Sequence, residues 1–540
     1  MVEKIANKTL LKQIIDSEAA SATKYEIERA LLANNDWLLL TDESPQVALS
    51  RSNFEFSVEW SKLIFSWWTD GSSQSWRVTA YEIKEAEIIF RASRGTGKDI
   101  FYFALRDAAN WRSSVNKKEL ATNELRTNYS ELLMAILQEN FHDLRVQRIS
   151  LRGKFSLAQP AQYVRFMLNY QQQNILVVGI NEHESQTEID GIITNGLVWA
   201  AELKTTVHRL WLCVPHGKAT TVLEGLTLLN FSKINLQVEC FEINESERLL
   251  QSVKPFSQAE LLNVHPRGLI WAEAEKMPVN VWRERIVSLA PDVIDVREDA
   301  HRKFESYSIR GLEFARTYDA ERRQIKFGVA HYPDEIAAKY FRAEPRKTLT
   351  EGNFSALVNL VNEIVAHRNA NPNELRHPFY RLRSEAWLES LLRRNIRILD
   401  ATLDPEFVYA QIPTWLGDER SVLDLLAINH HGRLVIIEIK AVEDMQLPLQ
   451  GLDYWLRVEQ ARLRGEFERR GLFAGIKISD QSPLLYLVAP RLRFHRSFKV
   501  MTKYFASEIE AFQIGLNANW RSGVKVNSFE KLGQNAEART

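Results

Sequence analysis

The stretch GRLVIIEIKAVEDMQLPLQGLDYW, residues 432–455, decides the reading of this 540-residue chain. The apolar run Leu434–Ile437 leads into Glu438, and Lys440 follows two residues later. Side chains i and i+2 of a strand share a face, so Glu438 and Lys440 project together while Ile437 and Ile439 point the other way. The preceding apolar run SVLDLLAI carries Asp424, and the intervening NHHG is a turn sequence. A hairpin then brings Asp424 within reach of Glu438. Neighbouring carboxylates repel unless a cation lies between them, and hard oxygen donors suit Mg²⁺ or Mn²⁺. A lysine beside them can orient or help deprotonate water and offset charge in a transition state. Just behind, Gln450 and Tyr454 stand four apart on one face of a predicted helix, and Arg457 continues that face.

Outward from this stretch the pattern reads α-β-β-β-α-β-α-β. SEAWLESLLRRNI is a helix, with Glu385 and Glu389 at i and i+4, one of which can reach the carboxylate pair. EFVYAQIPTW, SVLDLLAI and RLVIIEIK are strands, LPLQGLDYWLRVEQARLRGEFERR a long helix, PLLYLVAP and IEAFQIGL later strands around the helix FKVMTKYFA. The chain supplies its own controls for the Asp…Glu-x-Lys spacing. Asp70 with Glu82 and Lys84 is weaker because Asp70 sits in the polar TDGSSQ. Asp190 with Glu202 and Lys204 is weaker because LVWAAELK, read as a strand, leaves no room for a helix before RLWLCVP; each stands only as a minor alternative, a second site or a decayed copy.

With its motifs in this order, the C-terminal third resembles the PD-(D/E)XK nuclease superfamily, the restriction-endonuclease-like fold. Its Gln450-x-x-x-Tyr454 spacing is similar to that of the RecB-, Cas4- and lambda-exonuclease-like branch. The resemblance implies Asp424, Glu438 and the backbone carbonyl of Ile439 as ligands of Mg²⁺ or Mn²⁺, with Lys440 beside them and Glu385 or Glu389 assisting. It implies Gln450 and Tyr454 as further members of the catalytic site. No proline precedes Asp424, a departure at a position that varies in the superfamily.

The remainder reads as an α/β multidomain chain. Residues 1–115 are a β-rich module, 116–265 an α/β domain and 266–349 a small α/β or β connecting domain. Residues 350–540 are the nuclease-like domain, with an exposed Asn/Pro-rich linker at 369–375 and a helix capped near Thr350 or Asn353. No internal repeat is evident in the sequence. At 45% hydrophobic residues, a chain of this length can bury several cores.

Lys+Arg and Asp+Glu balance at 69 each, which excludes a globally basic nucleic-acid binder and leaves room for a local basic groove. Arg381, Arg383, Arg394 and Arg457 are the candidates for such a groove, interleaved with Tyr380 and Trp387. Cys213 and Cys240 are too few for a disulfide framework or a zinc site, which favours a reducing compartment. No apolar run reaches membrane-spanning length and the N-terminus lacks a signal-peptide core, so a cytoplasmic protein without a membrane partner is expected. The expectation is a nuclease acting on DNA. An RNA-cleaving or defence-associated nuclease, a protein partner or self-association, and a catalytically silent nucleic-acid-binding or assembly role that keeps the fold stand as alternatives.

Overall fold

Strand-forming and helix-forming runs alternate along this chain and fold into four sheets among the described residues. The structure is a computed structural model, and it describes residues 11–31, 36–41, 47–50, 54–59, 61–69, 72–84, 87–94, 99–107, 116–150, 163–203, 207–232, 236–263, 269, 280–299, 304–317, 324–329, 346–375, 377–416 and 419–533. The protein is mixed α/β and divides into two units, Met1–Leu125 and Arg126–Thr540.

The first unit is an antiparallel eight-stranded sheet joined by the helix Ser17–Leu31. Alternation along its strands turns Phe54, Phe56, Phe65, Trp67, Trp76, Phe90 and Phe103 into one aromatic core. Glu82 and Lys84 lie on the strand Ser72–Lys84, whereas Asp70 is outside the described residues.

The second unit holds the other three sheets. Helix α1 (Asn116–Asn140) leads, from Arg126 on, into β1 (Arg145–Ser150), β2 (Val164–Tyr170) and β3 (Gln173–Gly179). Helices α2 (Gln186–Asp190) and α3 (Ile192–Glu202) follow, then β4 (Arg209–Pro215), α4 (Thr220–Thr227), β5 (Gln237–Asn244) and β6 (Leu249–Val253). LVWAAELK is therefore mostly helix, not strand. Its apolar residues run almost continuously because Ile192 through Trp199 are buried on all sides, which removes the polar stripe that normally betrays a helix.

The third sheet comprises β7 (Ile294–Asp299), β8 (Phe304–Ile309), β9 (Leu312–Thr317), β10 (Ile325–Phe327) and β11 (Lys347–Thr348). The tight turn between β8 and β9 falls at Arg310–Gly311, where Gly311 has φ +76° and a Cβ would collide with the carbonyl oxygen of Ala386. Helix α5 (Phe354–His367) packs on this sheet through Leu357, Val361 and Ile364, so its core contacts belong with β7–β11.

Then come α6 (Ser384–Arg394), β12 (Leu403–Leu416), β13 (Glu419–Asn429), β14 (Leu434–Ile439), α7 (Leu447–Leu463), β15 (Leu484–Pro490), α8 (Phe498–Thr502), β16 (Ala511–Leu516) and β17 (Val526–Lys531). Both large sheets have the same plan. In β1–β6 the successive neighbours pair antiparallel, antiparallel, parallel, parallel and antiparallel. In β12–β17 the sequence of pairings is identical. Each sheet follows a helix, and each carries helices after its third and fourth strands. The chain thus repeats a topology although it shows no repeated sequence.

The two copies share one core. Ile193, Leu197, Val222 and Leu226 of the middle lobe join Leu452, Val458, Met501 and Phe505 of the C-terminal lobe. Main-chain bonds cross between them, from Asn230 N to Tyr504 O and from Ala506 N to Leu228 O. Among the described residues no helix is long and apolar enough to cross a membrane.

Candidate active site

Arg368 fixes the first helix of the C-terminal lobe. Its buried guanidinium donates only to main-chain carbonyls, those of Arg310, Phe379, Leu382 and Arg383. Burial, then repulsion from Arg521, lowers its pKa. Arg383, held in the left-handed region at φ 50°, caps α6. Trp387 is buried against Tyr380 and Trp520, which makes it core. This anchoring directs Glu385 and Glu389 toward the strands.

The β13–β14 hairpin positions the acids. Gly432 turns it at φ +75°, and the register Leu425↔Ile437 puts Asp424 opposite Glu438. Asp424 Oδ2 accepts from Ile439 N at 2.9 Å, while Lys440 Nζ lies 3.1 Å from Glu438 Oε1. The i, i+2 geometry expected of Glu438 and Lys440 is what the structure shows. Glu438 Oε2 is buried with no hydrogen-bond partner. Burial pushes Asp424 up to about 6, with Lys440 opposing. Burial and then Asp424 push Glu438 well above the usual carboxylate range. Lys440 would be depressed by burial, but Glu438, Glu385 and Asp424 together hold its pKa above the ordinary value.

Glu389 is the more enclosed of the two helical glutamates, and burial followed by the Asp424 charge raises it to about 7. Glu385 lies close enough for its charge to act on Asp424, Glu438 and Lys440. Between Glu389 and Asp424 stands Gln411, which sequence reasoning missed. Its amide nitrogen lies 3.0 Å from Glu389 Oε2 and 3.3 Å from Asp424 Oδ1. The available signal was the β12–β13 pairing, in which position 411 falls opposite 424, between Ala410↔Leu425 and Ile412↔Leu423. Asp444 also reaches toward Lys440, at 3.9 Å.

Helix α7 supplies Gln450 and Tyr454. The Tyr454 hydroxyl pairs with Ser421 Oγ at 2.6 Å, on the same strand as Asp424. Burial and the charge on Glu438 raise its pKa. Gln450 turns into a cavity of ≈140 Å³ between the two lobes, shared with Tyr454, Asp190, Glu224 and Asp453. Arg457 does not face a groove. It is buried, with Nη2 at 2.7 Å from Glu224 and 2.8 Å from Asp453, because α7 is covered by the middle lobe. Arg394 pairs with Asp295 of β7 at 3.0 Å. Arg381 and Arg383 remain on the surface, near the start of α6.

Asp190 and Glu202 lie on α2 and α3 and Lys204 is outside the described residues, so this set forms no strand-borne triad. Among the described residues, no three His, Cys, Asp or Glu side chains converge closely enough to enclose a metal by themselves. Mg²⁺ needs less, since it is commonly held by one or two carboxylates with waters and substrate phosphate. Asp424 and Glu438 meet that requirement, and the unpartnered Glu438 Oε2 is a free hard donor. Compared with known proteins, the chain matches no family model and no curated protein.

Proposed function

We propose that the chain is a metal-dependent nuclease of the restriction-endonuclease-like fold, hydrolysing phosphodiester bonds in DNA. The observation that carries this reading is the Asp424–Glu438 pair, set across one hairpin with Glu438 buried, Asp424 half-buried and Lys440 on Glu438. Two adjacent carboxyls raised by burial are costly unless a cation or proton offsets them. Asp424 and Glu438 would hold Mg²⁺ or Mn²⁺, which when bound supplies Lewis-acid polarisation of a phosphoryl oxygen and makes water more acidic. Gln411 keeps Asp424 and Glu389 apart and oriented. Lys440 offers an ammonium to the charge that develops on the phosphate. Tyr454, tied to Ser421, closes the side of the site nearest α7.

The test is incubation of the purified chain with linear, circular and single-stranded DNA, and with RNA, with and without Mg²⁺ or Mn²⁺. Cleavage that requires the metal and disappears in Asp424→Ala and in Glu438→Ala is the expected result. Cleavage that survives both substitutions removes this site from the reaction. Tight nucleic-acid binding without cleavage favours the silent binding protein.

A further inference from the structure

The repeated topology allows the two lobes to be compared residue by residue. In the C-terminal lobe, Ile439 pairs with Val488 and Lys440 N then donates to Val488 O. In the middle lobe, Gly179 pairs with Cys213 and Ile180 N donates to Cys213 O. Ile180 therefore stands where Lys440 stands, and Val178 where Glu438 stands. Across the hairpin, Val178 pairs with Arg165, as the β13–β14 register sets Glu438 opposite Asp424. The core sides agree as well. Val178 and Ile180 lie in the core shared by the docking helices, and the neighbours of Glu438 on its own face, Leu434 and Ile436, lie there too. On the opposite side, α1 packs Leu133, Ile136 and Leu137 against its sheet.

We infer that the middle lobe is a second copy of the C-terminal fold whose acid and lysine positions are filled by Arg165, Val178 and Ile180, so that the chain carries one hydrolytic centre and cuts duplex DNA one strand at a time. This rests on the nuclease reading above. A valine and an isoleucine cannot ligate a hard cation, and a guanidinium at the Asp424 position repels one. Arg165 is itself buried, with Nε and Nη2 unpartnered, so the position has lost its acid and gained a fixed positive charge. Two intact copies would offer a duplex two centres, but only one retains the donor set. The complementary strand lies across a groove of roughly 6 to 12 Å. One centre reaches its phosphate only after the duplex is released and rebound.

The experiment follows a supercoiled plasmid with Mn²⁺ at a concentration where sedimentation shows the chain to be a monomer. Nicked circles should accumulate to most of the input before linear DNA forms. Linear product without a nicked intermediate overturns this inference while leaving the nuclease reading intact. No cleavage at all overturns both. Calorimetry with Mn²⁺ alone gives a readout apart from activity. Asp424→Asn with Glu438→Gln should abolish the binding seen in wild type, and retention of half of the wild-type stoichiometry would reveal a working second centre and overturn the inference.

Discussion

Arg457, on the helix that follows the acidic strand, ion-pairs with Glu224 of the middle lobe at 2.7 Å across 233 residues of sequence. The same Nη2 reaches Asp453 at 2.8 Å, one turn earlier on its own helix. One buried cation thus pairs with two carboxylates where the lobes meet. Removing one member of such a set leaves charge without a partner, at a cost of about 3–5 kcal/mol. Arg457→Met should lower the stability of the second unit by that amount in urea unfolding. Arg457→Met combined with Glu224→Gln and Asp453→Asn should recover most of the loss. A single variant within about 0.5 kcal/mol of wild type would show that the pairs contribute little.

The shared core changes what can be cut away. A piece spanning residues 350–540 keeps every proposed catalytic residue but exposes Leu452, Val458, Met501 and Phe505, which the middle lobe covers. It also severs α5 from the sheet on which it packs. This piece should aggregate or bind hydrophobic dyes, whereas residues 126–540 should be monodisperse. Sizing and near-ultraviolet circular dichroism of the two pieces make the comparison.

Asp190 gives the interface a pH dependence. Burial raises its carboxyl from 3.8 to about 6, against the opposing bonds from Thr221 and Gln186, and Oδ2 has no partner. A folded pKa above the unfolded one means that the folded state binds the extra proton. The stabilising contribution is therefore present below pH 4 and is lost as pH rises through 6. Asp190→Asn should raise stability at pH 8 and flatten the profile between pH 4 and 6. An unchanged urea midpoint at pH 8 would mean that the ionised carboxylate is not penalised.

Gln411 is a positioning residue, and its loss should show in rate before it shows in folding. Gln411→Leu removes the amide between Glu389 and Asp424. A misplaced group in a hydrolytic site can cost on the order of 10²-fold. The expected result is a fall of about that size in the rate at saturating Mn²⁺, with kcat changing more than KM and partial rescue by Glu389→Gln, which relieves the repulsion. Wild-type kcat in Gln411→Leu would assign the amide to packing alone.

The C-terminal lobe was legible because strand alternation, turn residues and a long helix follow one another there with little interruption. Glu438 and Lys440 were placed by periodicity alone, and Asp424 by the turn between its strand and theirs. Gln411 was hidden because a glutamine in an edge-like strand carries no signal until the hairpin register is known. Arg457 was misread because a helix face bearing Gln, Tyr and Arg looks solvated, while here it is buried against a second lobe. The residues of that lobe do not reveal it as a copy, for a related reason. Fold plan resides in the order of apolar segments, which survives when Arg165, Val178 and Ile180 stand where Asp424, Glu438 and Lys440 stand.

The interlobe core also imposes a delay during synthesis. Val222 and Leu226 leave the ribosome more than two hundred residues before the α7 residues that will cover them, a gap marked by the 233-residue separation of Glu224 and Arg457. At roughly 5–20 residues per second, the apolar face of the middle lobe waits about 10–50 s for its cover. Through that interval the nascent chain presents a sticky surface to the cell, and its yield depends on what shields that face until α7 arrives.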